Sequence, residues 1–402
     1  MEKKISNGMK YVIIIPDGAA DEPIEQFGGK TIFEAADIPN IDKISQTGRL
    51  GLVQTVPAKC QPGSDVAQMS LLGYDPQRYY TGRAPLEAVA MNIQLEPTDW
   101  VFRCNLVTIA DEKMADHSAG HISSAEGARI IEDLNKTLGS DTIKFYPGVS
   151  YRNLCVIKGV DFDVYTEPPH DIIGRQIEKN LPRGKNAEIL SELMAKSRQL
   201  LADHEINKIR RDLGENTVSS IWFWGQGKKA AMDSFESRFG LKGTAITAVD
   251  LVRGIAKLIG FDLIKVEGAT GFADTNYKGK AQAAIDALEK YDLVFIHIEG
   301  PDEAGHAGNA DLKKKAVERI DKYVVGPVYK ALQKYDGWRI LVMPDHPTPC
   351  KSQAHSGLPV PFAMAGTGIN PTLNNPFSED FAAQSGLKIE KGFELMEYFI
   401  KS

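Results

Sequence analysis

The sequence predicts an α/β protein built on a doubly wound sheet, with a second domain inserted into it. Three observations predict this. Short apolar runs at Tyr11 to Ile15, Gly51 to Val56, Leu293 to Ile298 and Arg339 to Met343 are continuous, the pattern of parallel strands buried on both faces. Between them lie stretches with apolar residues three and four apart, the mark of amphipathic helices. In the middle of the chain the strand-like runs Asp99 to Val107, Val149 to Val156 and Val218 to Trp224 are separated by long turn-rich and helical stretches. That change of pattern marks the insertion. The expected division is 1–80 with 245–402 for the outer domain and 81–244 for the inserted one.

The elements follow in order. Met1 to Lys10 is polar and charged and leads into an apolar run too short for a signal or membrane segment. The helical periodicity then predicts Ala125 to Leu138, Asn186 to Leu201, Ala248 to Ile259, Ala281 to Lys290 and Leu312 to Lys334. With 402 residues, two or three folding units can each bury a core. Charged residues at 25% and apolar ones at 43% are the balance of a globular chain and argue against disorder. The 47 basic and 53 acidic residues give a net charge of -6, with no dense Lys/Arg stripe. The electrostatic footprint of a duplex nucleic-acid binder is therefore absent, and a small anionic substrate needs a local basic pocket. Cys60, Cys104, Cys155 and Cys350 are dispersed without a CxxC pair, so neither a zinc knuckle nor a disulfide framework is read from them. A reducing compartment, the cytoplasm, is expected.

Three apolar runs end alike: Tyr-Val-Ile-Ile-Ile-Pro-Asp17, Leu-Val-Phe-Ile-His-Ile-Glu-Gly-Pro-Asp302 and Arg-Ile-Leu-Val-Met-Pro-Asp345-His346. In an open parallel sheet, ligands collect beyond the carboxyl ends of strands, so three such acids would face one crevice. One such Asp is more often a helix cap or an Asx turn, but three with histidine neighbours are not. Asp302 and His306 are four apart, which puts both on one helical face or within one loop turn. His355 follows His346 by nine residues in Gln-Ala-His-Ser-Gly, close enough to fold back over the same place. Mixed carboxylate and imidazole donors suit Zn, Mn or Co better than Ca or Mg. A nucleophile candidate, Ser64, stands in Pro-Gly-Ser-Asp-Val-Ala at a predicted helix start, where N–H groups and the dipole favour a phosphate. Capping is the plainer explanation of a serine there. Gly225-Gln226-Gly227-Lys228 lacks the glycine spacing of a P-loop, so no nucleotide site is assigned.

These stretches, with Gln-Met-Ser-Leu-Leu-Gly-Tyr-Asp-Pro, Tyr-Thr-Gly-Arg-Ala-Pro-Leu-Glu-Ala, Phe-Arg-Cys-Asn-Leu-Val-Thr and Val-Glu-Gly-Ala-Thr-Gly, resemble the alkaline phosphatase superfamily. Within it they resemble the archaeal-type cofactor-independent phosphoglycerate mutases, over nearly the whole chain. The resemblance implies an alkaline-phosphatase-like core with Asp17, Ser64, Asp345 and His346 on one divalent metal ion and Asp302, His306 and His355 on a second. Manganese comes first, with zinc, cobalt or magnesium behind it, and no 2,3-bisphosphoglycerate. It implies Ser64 as nucleophile, carrying the phosphoryl group between 3- and 2-phosphoglycerate, and an inserted domain that binds the substrate and closes over the metal centre. One of His117 and His121, in Asp-His-Ser-Ala-Gly-His, would contact substrate, with Arg152, His170 and Arg175 as further contacts and Asp171 as general acid/base. The only expected partner is the phosphoglycerate, with no nucleic acid and no membrane.

Two departures from the family pattern keep other substrates open. The lead-in to Ser64 reads Pro-Ala-Lys-Cys-Gln where the family is rich in Gly and Pro, and the segment His117-Ser-Ala-Gly-His121 differs from the family's commoner Arg-containing version. The alternatives are a divergent member acting on another small hydroxy acid, in a homoserine-kinase-like role, and a metal-dependent phosphomonoesterase. A catalytically silent binding protein is disfavoured by the complete ligand set.

Overall fold

The computed structural model describes residues 5–402; residues 1–4, the start of the polar stretch read above, lie outside it. The chain divides into two compact units, one comprising the residues up to Tyr80 with Met232–Ser402, the other Thr81–Ala231. The chain returns to the first unit at Met232, ahead of the 245 expected, because the strand Gly243–Ile246 already pairs with Leu293–Ile298 in its sheet.

The first unit is built on an eight-stranded sheet. Its order is Asp262–Leu263, Gly243–Ile246, Leu293–Ile298, Ile5–Pro16, Tyr335–Val342, Val360–Gly366, Arg49–Val53 and Lys388–Ile389. Val12 to Ile15 in the central strand are fully buried, as the uninterrupted apolar run requires. Val360–Gly366 runs antiparallel to both of its neighbours, and the other pairings are parallel. The sequence reading lacks this strand, because Pro361 argues against an interior strand.

Register is what positions the chemistry. Pro16 lies opposite Ile298, and Ile14 opposite Val342. Two of the strands therefore end level and the third two residues earlier, and the residues just beyond them leave the sheet at one edge.

The helix expected over Leu312 to Lys334 is divided into Ala310–Ile320, a π-helical turn at Asp321–Val325, and Gly326–Leu332. The wider turn aims the buried Asp321 carboxylate at the start of the helix Pro39–Thr47, where it accepts from the Asn40 and Ile41 N–H groups at 3.3 and 2.7 Å. Those donors have no partner within their own helix, so the π turn supplies a cap from a distant segment.

The second unit is α+β. The strand Trp100–Ala110 pairs antiparallel with Arg152–Ile157 on one side and Ser220–Lys228 on the other, and Ile143–Val149 extends the sheet. The helices Ser124–Leu138 and Ala187–Ala202 pack on Ile143–Val149 and Ser220–Lys228, enclosing a core that includes Phe102, Ile130, Leu190, Trp222 and Phe223. The capping box at Ser123 and Glu126 explains where the first of these helices begins. Among the described residues no helix is long and apolar enough to cross a membrane.

Candidate active site

At this edge of the first unit's sheet the chain turns three times within a few ångströms. Asp17 is held by its N–H, which donates to Ile298 O at 3.0 Å. Gly18 follows at φ 62°, and a side chain there would place its Cβ 2.4 Å from Asp302 Oδ1. Glycine is required for both reasons. Its N–H donates to Asp345 Oδ1 at 3.1 Å, so one residue ties the first and third turns together.

Asp302 and His306 occupy the helix Gly300–His306, four apart as the sequence indicates, with Asp302 Oδ2 3.3 Å from His306 Nε2. His355 folds back over them: its Nε2 lies 3.5 Å from Asp302 Oδ1 and 2.9 Å from His306 Nε2. Thr348 donates its hydroxyl to the same Asp302 Oδ1. Ser64 begins the helix Ser64–Leu71, but the N-cap is Gly63, so capping is not the task of the Ser64 side chain. Its Oγ points to His346 Nε2 at 3.2 Å. The structure thus brings together all seven residues Asp17, Ser64, Asp302, His306, Asp345, His346 and His355.

Their donor atoms form overlapping groups. Those of Asp17, Asp345 and His346 lie within 4.8 Å of one another, as do those of Asp302, His346 and His355, so His346 stands at the junction. His346 Nδ1 is 3.3 Å from Pro347 O, and His306 Nδ1 is 2.9 Å from Gln353 O. A carbonyl only accepts, so both Nδ1 atoms carry a proton and the Nε2 atoms face inward; His306 Nε2 donates to Asp302, and a cation would take the place of that proton.

Burial, reinforced by the charges of Asp345, Glu299 and Asp302, holds the Asp17 carboxyl well above its usual range. Burial pushes Glu299 up to about 8, with the Asp302 charge adding to it. Burial also opposes ionisation of Asp302, but hydrogen bonds from His306 and His355 outweigh it and leave that carboxyl far below its usual value. The same bond raises His306 to about 9. Asp17 Oδ1 and Gln68 Oε1 are buried without a donor. Buried acceptors left unpaired beside converging imidazole nitrogens are what a divalent cation satisfies, so these residues fit metal ions.

Several contributors escape the sequence reading. Gln68 sits one turn after Ser64 and donates to Asp345 Oδ2 at 3.0 Å. His297 contacts Asp17 Oδ2 at 2.6 Å, with both side chains fully buried. Burial, with the Lys280 ammonium nearby, pushes its imidazole down to about 3. Lys313 is buried and bonds to Ala20 O, Asp21 Oδ2 and Thr348 O, stapling the loop after Asp17 to the loop after His346. Only the helical spacing of Gln68 to Ser64 signals any of these in advance.

The second unit carries a different cluster. Asp116 organises the Asp-His-Ser-Ala-Gly-His turn, accepting from the Ser118 N–H and hydroxyl, the Gly120 N–H and Asn216. Burial raises its pKa, but these bonds prevail and bring it to about 2. His117 packs against Tyr151 and His170, with ring centroids 5.5 and 6.0 Å apart, and its Nδ1 is buried without a partner. His121 is exposed, at φ 51°, and nears the ring of Tyr151 at 6.3 Å. Arg152 is exposed over Tyr151, and Asp171 lies exposed 3.8 Å from His170. Arg175 is exposed and engages Met114 and Ile172 through its backbone.

Arg103, in the Phe-Arg-Cys-Asn stretch, lies 4.2 Å over the Trp224 ring and pairs with Glu87 at 3.0 Å, a role that its sequence surroundings do not signal. Burial lowers its pKa; Glu87 raises it, while Arg83 and Arg152 lower it further, so three guanidiniums share one field. Gly225 belongs to this cluster: at φ 62°, its missing Cβ leaves room for the Arg103 stem 3.3 Å away. The Gly225–Lys228 segment is thus the end of a strand packed on Arg103.

The chain is similar to known proteins over nearly its whole length. Residues 45–207 match the family described as 2,3-bisphosphoglycerate-independent phosphoglycerate mutase. The chain is similar to the enzyme of that name from Methanothrix thermoacetophila, 48% identical over 98% of this chain and 100% of the relative. A probable enzyme of the same name from Geobacter sulfurreducens is 47% identical over the same shares. Among solved structures, a Pyrococcus horikoshii protein matches with a TM-score of 0.83 at 30% identity, covering 100% of this chain and 97% of that one. A cofactor-independent phosphoglycerate mutase from Thermoplasma acidophilum matches with a TM-score of 0.70 at 26% identity, covering 98% and 99%.

Proposed function

Because the chain belongs to the 2,3-bisphosphoglycerate-independent phosphoglycerate mutases, isomerases that interconvert 3- and 2-phosphoglycerate, we propose that its phosphoryl group travels through Ser64. One observation carries the proposal: the Ser64 hydroxyl faces the lone pair of His346 Nε2 at 3.2 Å, inside the cluster of Asp17, Asp345 and Asp302.

Asp17, Ser64, Asp345 and His346 would hold one divalent ion and Asp302, His306 and His355 the other, manganese being the first choice for this donor set. When bound, the ions neutralise the phosphoryl oxygens and favour the serine alkoxide. Ser64 Oγ attacks phosphorus, the bond from phosphorus to the C3 oxygen of the glycerate breaks, and that oxygen takes a proton from a general acid, the protonated Asp171 in our assignment. The glycerate turns; its 2-hydroxyl gives up a proton to the same group and attacks the phosphoserine, freeing Ser64. The helix start at Ser64 offers backbone N–H groups to the phosphoryl oxygens. Arg152, His117 and His170, joined by Arg103, hold the glycerate carboxylate so that it reorients rather than escapes. The exposed Arg175 and His121 would contribute less. With four free thiols, the protein is assigned to the cytoplasm and phosphoglycerate is its partner.

The test is phosphorus NMR of the manganese-loaded enzyme on 3-phosphoglycerate without added bisphosphoglycerate, paired with an acid quench that traps protein-bound phosphate. The wild type should form 2-phosphoglycerate and carry label on Ser64. Ser64→Ala should lose at least about 10⁴-fold in kcat while keeping its fold. Activity in that variant would overturn the nucleophile. Free phosphate as sole product would indicate a phosphomonoesterase, and no turnover at all another hydroxy acid.

A further inference from the structure

The histidines at the sheet edge of the first unit differ in what faces Nδ1. His306 Nδ1 meets Gln353 O, and His346 Nδ1 lies 3.3 Å from both Pro347 O and Thr348 Oγ1, whose own proton goes to Asp302 Oδ1, so both nitrogens face acceptors. At His297 the neighbour is a hydroxyl with no such acceptor: Thr247 Oγ1 lies 3.2 Å from its Nδ1. That oxygen already accepts the Val249 N–H at 3.1 Å, which leaves its own proton free to donate to Nδ1. The proton on His297 is then on Nε2, facing Asp17 Oδ2 at 2.6 Å. With Asp17 ionised, as a cation ligand must be, the opposite tautomer would set two lone pairs against each other at that distance.

We infer that His297 is a positioning residue: it donates to Asp17 Oδ2 and leaves Oδ1 alone to face the cation. Oδ1 is the atom buried without a donor, 3.6 Å from His346 Nε2. A carboxylate fixed in this way is a one-oxygen ligand with its orientation set before the ion arrives, so the ordering is not repeated at each binding event. The same geometry decides a second question. Asp17, His297 and Glu299 bring donor atoms within 4.8 Å of one another, a spacing that suits a further cation. The proton on Nε2 makes that nitrogen a donor, and Glu299 Oε2, 3.5 Å away, faces the same N–H. The triad supports Asp17 and binds no ion of its own.

The inference rests on Asp17 as a metal ligand, and calorimetric titration of the metal-free protein with manganese alone tests it without substrate. The wild type should bind two ions per chain. His297→Leu should weaken one of them by about 10- to 100-fold and leave the other unchanged. His297→Gln, whose amide N–H can reach Asp17, should restore most of that affinity. Thr247→Val, which keeps the imidazole but removes the hydroxyl that fixes its tautomer, should weaken the same ion several-fold and serves if His297→Leu does not fold. Unchanged affinity in His297→Leu and Thr247→Val would overturn the inference, as would equal loss in the Gln and Leu variants. A third ion in the wild type that disappears with His297 would make it a ligand and also overturn it. Asp17→Ala with both ions still bound would overturn the metal assignment itself.

Discussion

The two clusters of charged side chains differ in how they hold charge. In the first unit Asp17, Asp345 and His346 are fully buried beyond the ends of parallel strands, and the carboxylates are fixed by Gly18, Gln68 and His297. In the second, His170 and Asp171 on the 3-10 helix Pro169–Ile172 and Arg152 at the start of its strand stand partly in solvent, His170 edge-on to Trp224 and Arg152 over Tyr151. A site that faces a small cation concentrates carboxylates at a cost in desolvation that only the ion offsets, so it must be rigid and dry. A site that faces a mobile carboxylate can use guanidinium and imidazole groups that keep part of their hydration.

Removal of the metal ions should break that contrast most sharply. Chelation is expected to abolish turnover and to lower protection against hydrogen exchange in the first unit's peptides, by about 3 kcal/mol for an ion previously at a hundredfold excess over its Kd. Peptides from Thr81–Ala231 should exchange as before. Equal loss in both units would contradict the difference in design.

Within the second cluster, His117→Ala should reduce kcat/KM by about 100-fold, and His121→Ala by less than about threefold, because the first imidazole faces the cluster and the second is exposed. Steady-state kinetics on 3-phosphoglycerate settles it; the reverse ranking would exchange their roles. Arg103→Met is expected to raise KM by about 10- to 30-fold, with little recovery in Arg103→Lys, since a lysine cannot both stack on Trp224 and pair with Glu87 as the fork does. Manganese affinity should be untouched in both.

The smallest effect is on stability. Asp116→Asn should cost the second unit about 1–2 kcal/mol, read as its denaturation midpoint, through weakened bonds to Ser118, Gly120 and Asn216. The folded pKa of Asp116 lies below the unfolded one, about 3.9, so its stabilisation is fully present above that pH and is lost as pH falls towards about 2. Acid unfolding of the variant should therefore show a shallower dependence across that window. An unaltered acid limb would remove Asp116 from its place at the centre of the turn.

The amino-acid sequence by itself determined four of the eight strands of the first unit's sheet, where runs such as Ile-Ile-Ile and Val-Phe-Ile have few alternatives to a buried strand. It also determined the acids and histidines that end them, since strand, turn and carboxylate are consecutive in the chain. Tertiary structure alone decided the antiparallel strand at Val360–Gly366, where Pro361 contradicts the local rule and sheet position permits it. It decided the π turn at Asp321, which answers a helix start some 280 residues away in sequence. It separated His117 from His121 and recruited His297, Gln68 and Arg103. Each of these depends on what stands opposite a side chain, and hydrogen-bond partners and burial are set by distant segments that no local pattern encodes.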